Sequence, residues 1–194
     1  MKNKKIALIL NIILVISEII GLIWSSILDK VDLIYYTNLS NIFALIVGVL
    51  FIAFYKKNSD LIKDLRFMST SCLTVTFLVV LFILSPMYQF NYKLLMFTNV
   101  FFIFHTLCPI LSIVSYILFE ERSSKVYLGF IFTLLYGIIL LIFNCFNVVS
   151  GPYPFLKVHN QSVLVTIIWS VLIIGGSYLI SLLLNVLNKK LKRS

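Results

Sequence analysis

The residues from Ile6 to Leu28 read IALILNIILVISEIIGLIWSSIL, and they decide what kind of protein this is. A helix of this length extends about 35 Å, whereas the hydrocarbon core of a bilayer is roughly 30 Å thick. Glu18 is the one ionisable side chain in the run. Lysines precede it as in a signal peptide, but the run is too long for an h-region and lacks a small-residue cleavage site. We therefore expect a retained transmembrane helix.

The rest of the chain repeats this apolar pattern. Of its 194 residues, 61% are hydrophobic and 12% are charged, and the mean hydropathy is +1.06. Soluble domains carry about 25% charged residues, so an ordinary soluble fold is excluded. Apolar runs cover approximately 6–28, 34–54, 67–85, 95–119, 126–146 and 162–187. These runs predict an all-α fold in which residues 1–194 form a single transmembrane domain, a bundle of six helices.

The basic residues predict the orientation of the bundle. The net charge is +9, and 13 of the 16 Lys and Arg residues lie on one predicted side of the membrane, with Lys30, Lys93 and Lys157 on the other. Because basic loops stay inside the cell, both termini are expected to be cytoplasmic, and the protein is expected in the cell membrane. Basic loops of this kind attract anionic lipid head groups. We therefore expect membrane lipids, and no nucleic acid, as partners.

Two ionisable side chains, Glu18 and His105, lie within the predicted spans. Such groups are costly in a bilayer unless they are paired or face a polar cavity. Both lie about 15 Å from the predicted outer ends of their spans, so we expect them to form a coupled pair. The ring of Pro109 displaces the carbonyl of His105, which predicts a kink. A histidine that simply bonds to Glu18 and joins two helices is the alternative.

Small and polar residues follow one face of several predicted helices. They are Thr37, Ser40, Asn41, Ala44 and Gly48 in the second span, Asn11, Glu18 and Ser25 in the first, and Thr98, His105 and Ser112 in the fourth. Residues three, four and seven apart share a helical face. Each stripe alone is typical of close helix packing. Their convergence towards the outer side favours a polar cavity there.

The loop before the last span reads SGPYPFL from Ser150 to Leu156. Two prolines around a tyrosine forbid a regular helix and predict an extended turn. Tyr153 and Phe155 suit an interfacial anchor. The alternative is an entrance or lid over the cavity, formed by Pro152, Tyr153, Pro154 and Phe155.

Metal and nucleotide chemistry find little support in the sequence. Cys72, Cys108 and Cys145 are scattered and do not combine with histidine in a zinc-binding or haem-binding spacing. Walker, nucleophile-elbow, HExxH and dinucleotide motifs are absent from the sequence. No metal and no cofactor is therefore expected.

Three segments together resemble the signatures of one membrane family: YYTNLSN from Tyr35 to Asn41, HTLCPI from His105 to Ile110, and PYPFL from Pro152 to Leu156. They are similar to motifs of the androgen-induced gene family of multi-pass membrane threonine hydrolases, and especially of its small six-helix bacterial branch. The resemblance implies a nucleophile at Thr37 and a base at His105. It also implies lipid-like ester substrates, such as fatty acid esters of hydroxy fatty acids.

The sequence thus predicts an integral membrane hydrolase of lipid esters that uses Thr37 and His105. Asn41 is the predicted oxyanion donor, and Glu18 and Ser40 are predicted supporting residues. The alternatives are a non-enzymatic proton or small-solute pathway through Glu18 and His105, and a structural or regulatory subunit. Thr37 lies about 5 Å below the predicted membrane surface and His105 about 15 Å below it. A direct contact between the two residues therefore requires that their actual depths differ less than these predicted values.

Overall fold

The computed structural model describes residues 2–28, 31–57 and 59–191. Lys30, Lys192 and Arg193, which contribute to the predicted charge asymmetry, lie outside the described residues. The helices are α1 (Lys2–Ile27), α2 (Tyr36–Ala53), α3 (Asp60–Met87), a short α4 (Tyr92–Phe97), α5 (Asn99–Phe119), α6 (Leu128–Cys145) and α7 (Val163–Leu191). All but α4 are long and apolar enough to cross a membrane. The predicted all-α bundle of six transmembrane helices is confirmed.

The outer surface of the bundle suits lipid. The shortest of the six helices has 18 residues, and this length extends about 27 Å. Large apolar side chains point outward along the bundle, including Ile9, Ile16 and Ile23 on α1 and Val171 and Leu179 on α7. Acyl chains solvate such a surface, whereas patches of this size are rare on soluble monomers.

Helix α3 lies at the centre of the bundle and packs against α2, α5, α6 and α7. On its neighbour α2, the small residues of the predicted stripe form a packing face. Ala44 is fully buried, and a Cβ atom added to Gly48 would lie 2.7 Å from a methyl group of Val15 on α1. Small residues here let the two backbones approach closely.

Charged residues enter the bundle at one end, which the sequence did not reveal. The third span was predicted at 67–85, but α3 begins at Asp60 and therefore includes Asp64 and Arg66, both buried. Each of the two is neutralised, Arg66 by Glu120 at 2.8 Å and Asp64 by Lys125 at 2.7 Å. Helix α3 therefore extends beyond the predicted start of the span at residue 67, and its buried charges were not recognisable in the sequence because their partners come from a distant part of the chain.

The pair of Arg66 and Glu120 forms the centre of this charged end. The Arg66 guanidinium donates to both Glu120 carboxylate oxygens, at 2.9 and 2.8 Å. Asn11 of α1 and Ser115 of α5 also donate to this carboxylate, at 2.9 and 2.6 Å. The Asn188 amide of α7 donates to the Glu120 carbonyl at 3.1 Å. The cluster thus joins four helices at the end where α1 begins and α7 ends.

This pair makes stability depend on pH. Burial alone would raise the pKa of Glu120, but the Arg66 charge and the hydrogen bonds from Arg66, Ser115 and Asn11 lower it below its ordinary value. Because the folded-state pKa is lowered, the stabilisation is complete above the unfolded-state pKa and declines as pH falls through the folded-state value. We expect the melting temperature in detergent to hold steady from neutral pH down to about pH 5 and to fall as the pH is lowered further, below the ordinary carboxyl pKa.

Thermal unfolding over this pH range measures the effect. The matched control carries Arg66→Met together with Glu120→Leu, which removes the pair as a unit. This control should lose less stability on acidification than the wild type. An equal decrease in both proteins would show that Glu120 is not the group responsible.

Two π-helical turns interrupt the central helices, and each precedes a proline. One covers Val80–Leu84 in α3, before Pro86, and the other covers Ile103–Leu107 in α5, before Pro109. Proline lacks an N–H group, and its ring clashes with the carbonyl four residues earlier; a wider turn relieves both problems. The distortion predicted at Pro109 therefore takes the form of a π turn, and this turn carries His105.

Candidate active site

The backbone is broken just before the π turn of α5. The predicted span 95–119 is divided, because α4 ends at Phe97 and α5 starts at Asn99. Between them Thr98 is extended, with φ −114°, and Asn99 has a φ of +48°. Asparagine tolerates this left-handed conformation better than most residues. The break leaves the last carbonyl groups of α4 without helical N–H partners.

Side chains of the π turn satisfy these carbonyl groups. The His105 ring bonds through Nδ1 to the Leu95 carbonyl at 2.6 Å, and the Thr106 hydroxyl donates to the Met96 carbonyl at 2.8 Å. Phe101 stacks on the His105 ring, with centroids 5.3 Å apart. In a bilayer a free carbonyl group is costly, so these contacts hold the ring firmly in one orientation.

The other nitrogen of His105 faces Thr37. The distance from Thr37 Oγ1 to His105 Nε2 is 3.3 Å. Because the Leu95 carbonyl can only accept, Nδ1 carries the ring proton, and Nε2 of the neutral ring presents its lone pair to the threonine hydroxyl. This is the arrangement of a nucleophile and its base. The distance is slightly long, as is common before a substrate binds.

The depth gap between the two residues closes because α5 starts later than predicted. His105 lies six residues after Asn99, which corresponds to about 9 Å along the helix instead of 15 Å. Thr37 is the second residue of α2. The predicted proximity of Thr37 and His105 is therefore confirmed, and their catalytic roles remain predictions.

Two cavities meet at Thr37. The first, which we call the narrow cavity, has a volume of about 60 Å³ and lies between α2, α3, α6 and α7. Its walls are mainly apolar and include Val75, Val80, Trp169 and Ile173. Such a cavity suits a hydrocarbon chain better than a polar group.

The second cavity, which we call the vestibule, is wider, at about 520 Å³. Polar side chains contribute to its walls, namely Ser25, Asp32, Asn38, Tyr88 and His105. Thr37, Tyr153 and Leu84 line both cavities. The hydroxyl of Thr37 thus lies where an apolar space and a polar space join.

The predicted entrance loop contributes directly to the site. Tyr153 and Phe155 are buried and stack on each other, with centroids 5.3 Å apart. The Tyr153 hydroxyl interacts with the hydroxyl and the backbone of Thr37. Burial raises the pKa of Tyr153 to about 12. Tyr153 therefore keeps its proton at neutral pH and can donate a hydrogen bond beside Thr37.

The rest of this loop shapes the turn that places Tyr153. Pro152 lines the vestibule, and Pro154 begins a 3₁₀ turn, Pro154–Leu156. A Cβ atom on Gly151 would overlap the Leu156 carbonyl oxygen, so a larger residue does not fit there. The sequence marked Tyr153 as an entrance residue. The proximity of its hydroxyl to Thr37 was not predicted, although the position of this aromatic residue between two prolines marked it in the sequence.

The predicted pair of Glu18 and His105 is wrong. Glu18 is fully buried, but among the described residues its two carboxyl oxygens have no hydrogen-bond partner. The Cys108 thiol lies beside it. Both ring nitrogens of His105 are engaged elsewhere, because Leu95 and Thr37 hold the ring towards α4 and α2. Glu18 is therefore a buried neighbour of the site that makes no hydrogen bond to His105.

Asn41 and Ser40 support Thr37 from within α2. Asn41 Nδ2 donates to the Thr37 carbonyl at 2.7 Å, and the Ser40 hydroxyl lies 3.0 Å from the same carbonyl and 2.9 Å from the Thr76 hydroxyl. Polar side chains often fold back in this way onto the preceding helical turn. Neither residue lines the narrow cavity or the vestibule. Asn41 is thus placed to hold the first turn of α2, and the geometry does not favour it as an oxyanion donor.

The chain matches no protein-family model, no curated protein and no solved structure.

Proposed function

We propose that this protein is a hydrolase of lipid esters in the cell membrane, with Thr37 as the nucleophile and His105 as the base. One observation carries the proposal. Thr37 Oγ1 lies 3.3 Å from His105 Nε2, while the Leu95 carbonyl holds the opposite ring nitrogen at 2.6 Å. A threonine hydroxyl is a weak nucleophile and needs a base within reach that is held in the correct tautomer.

The reaction begins when Thr37 Oγ1 attacks the ester carbonyl carbon and its proton moves to His105 Nε2. The tetrahedral intermediate then collapses. The bond to the alcohol oxygen breaks, and the alcohol leaves with the proton from His105. An ester of Thr37 with the fatty acid remains. In the second half His105 takes a proton from water, the hydroxide attacks the acyl group, and the fatty acid leaves as Thr37 Oγ1 regains the proton.

Tyr153 is the proposed donor to the oxyanion. Its protonated hydroxyl lies beside the Thr37 hydroxyl, at the junction of the two cavities. Preorganised donors of this kind typically contribute about 3 kcal/mol to transition-state stabilisation. The polar vestibule supplies the water for the second half of the reaction and receives the alcohol portion. Fatty acid esters of hydroxy fatty acids belong to the proposed substrate class.

The alternative of a non-enzymatic proton or small-solute pathway draws less support from the structure. In it Glu18 and His105 relay protons, and among the described residues the carboxyl oxygens of Glu18 have no hydrogen-bond partner. The alternative of a structural subunit predicts no turnover, so the same experiment tests it.

The direct test is to trap the acyl-enzyme. The purified protein in lipid nanodiscs is mixed with a long-chain fatty acyl ester, quenched with acid, digested and analysed by mass spectrometry. We expect the acyl mass on the peptide that contains Thr37, together with release of the fatty acid. An ether analogue of the same shape is the control and should give no adduct. Absence of hydrolysis, or an adduct on another residue, would refute the proposal.

A further inference from the structure

We infer that the narrow cavity receives the part of the acyl chain next to the ester carbonyl, while the rest of the chain extends into lipid between α6 and α7, and that Gly137 determines how bulky the chain can be at this border. This inference rests on the proposed function, because it takes the ester carbonyl to lie at Thr37. Beyond the proposed function, the inference states which cavity receives the acyl chain and which residue determines the selectivity for this chain.

The position of Thr37 defines which part of an ester each cavity can hold. Thr37 lines both spaces, so an ester carbonyl next to its hydroxyl has one substituent in the narrow cavity and one in the vestibule. The walls of the narrow cavity are largely hydrocarbon, from Val75 and Val80 on α3 to Ile173 and Ile174 on α7. An unbranched acyl chain can enter such a space from lipid without a desolvation cost, because it exchanges one hydrocarbon environment for another, whereas a polar alcohol portion would lose its hydrogen bonds there.

The narrow cavity extends from the core of the bundle to its lipid-facing side. On α3 its lining residues Val75 and Val80 are buried. On α6 and α7 the lining residues Gly137, Leu141 and Ile174 are only half-buried. Since the surroundings there are lipid, an acyl chain can enter sideways between α6 and α7 without crossing water.

Gly137 lies at this lipid-facing border and leaves space there. No heavy atom lies within 4 Å of a Cβ atom built on Gly137, apart from those of its own helix and chain neighbours. A side chain added at this position therefore has room without disturbing the packing. Because the cavity is narrow, the added side chain would occupy the path of the acyl chain.

The experiment compares Gly137→Leu with Gly175→Leu. Gly175 also has open space around its Cβ position, but it does not line the cavity. Two esters of one alcohol, an acetyl ester and a palmitoyl ester, are hydrolysed in nanodiscs. Gly137→Leu should lower kcat/KM for the palmitoyl ester at least about tenfold, because an obstructed chain no longer holds the ester carbonyl within reach of Thr37, and a misplacement of about 1 Å can cost about 100-fold. Hydrolysis of the acetyl ester, and of both esters by Gly175→Leu, should stay at the wild-type rate.

An unchanged ratio of palmitoyl to acetyl hydrolysis in Gly137→Leu would overturn the inference while leaving the proposed function intact. A second readout does not depend on turnover. A palmitoyl ester with a diazirine in the first part of its acyl chain, close to the ester carbonyl, is photolysed in the presence of the protein. We expect cross-links to the lining residues of α6 and α7 in the wild type and in Gly175→Leu, and much weaker labelling in Gly137→Leu. Equal labelling of all three proteins, or none, would exclude the cavity as the acyl site, even if the wild type hydrolyses neither ester and the proposed function fails.

Discussion

Replacing Thr37 with alanine is expected to abolish ester hydrolysis while the bundle remains folded. The change removes the hydroxyl proposed to attack the ester, and because Thr37 borders two cavities, the smaller side chain leaves the helix packing in place. In hydrolases with a comparable nucleophile and base, losing either one lowers kcat by about 10⁴- to 10⁶-fold. Fatty acid release in nanodiscs measures the activity, and thermal unfolding measures the fold. Thr37→Ser, which keeps a hydroxyl at the same position, should retain part of the activity.

Two further variants separate loss of chemistry from loss of structure. His105→Gln should reduce turnover as strongly as Thr37→Ala, and the double variant should be no worse, because the two residues act as one unit. Thr74→Ala is the matched control: Thr74 is also buried, but its hydroxyl donates to the Thr70 carbonyl at 2.7 Å and lines neither cavity. This control should hydrolyse the ester at close to the wild-type rate. A Thr37→Ala protein as active as Thr74→Ala would contradict the assignment.

Replacing Arg66 with methionine is expected to destabilise the bundle by about 3–5 kcal/mol, because the Glu120 charge then stays buried without a partner. The side chains of both residues are only 1% exposed, so water cannot substitute for the lost guanidinium. Unfolding in detergent, followed by tryptophan fluorescence, measures the free energy. A loss of this size is also expected to lower the amount of protein that accumulates in the membrane.

Two comparisons show whether the pair acts as a unit. Adding Glu120→Leu to Arg66→Met should recover much of the stability, since apolar residues of similar volume can replace a buried pair. Lys4→Met removes an ion pair with Glu121 in which the side chains are 54% and 40% exposed, and exposed pairs contribute at most about 1 kcal/mol. If the double variant were as unstable as Arg66→Met alone, the loss would not come from the stranded charge.

The main residues of the candidate site were identifiable in the sequence because lipid restricts what a span can contain. His105 was singled out as an ionisable side chain inside an apolar run, and Thr37 by its motif at the start of a span. Tyr153 was marked by its two flanking prolines. Each of these signals is local, and for Thr37 and His105 the structure places the side chains next to each other.

The contacts of these residues could not be read from the sequence. His105 was expected to face Glu18, which would require a continuous helix from residue 95. The chain breaks at Thr98 and Asn99, and the free carbonyl group of Leu95 becomes the partner of His105 instead. Asn41 was expected to face the substrate, but its amide bonds to its own helix. Which acceptor such a donor reaches depends on the exact rotation of its helix about the helix axis. A periodic sequence pattern does not specify this rotation precisely enough to predict the contacts of one side chain.

The sequence by itself determined that the protein is a bundle of six transmembrane helices, since the free energy of moving each apolar run from water to lipid is nearly independent of its neighbours. Within the predicted spans it also indicated that Glu18, His105 and Asn41 face inward, because lipid excludes such polar groups one by one. Only the tertiary structure decided how the inward-facing residues pair: Thr37 with His105, Arg66 with Glu120, and Tyr153 beside Thr37. Pairing is a property of two helices at once, and it depends on their relative depth and rotation, which shift with every break or π turn.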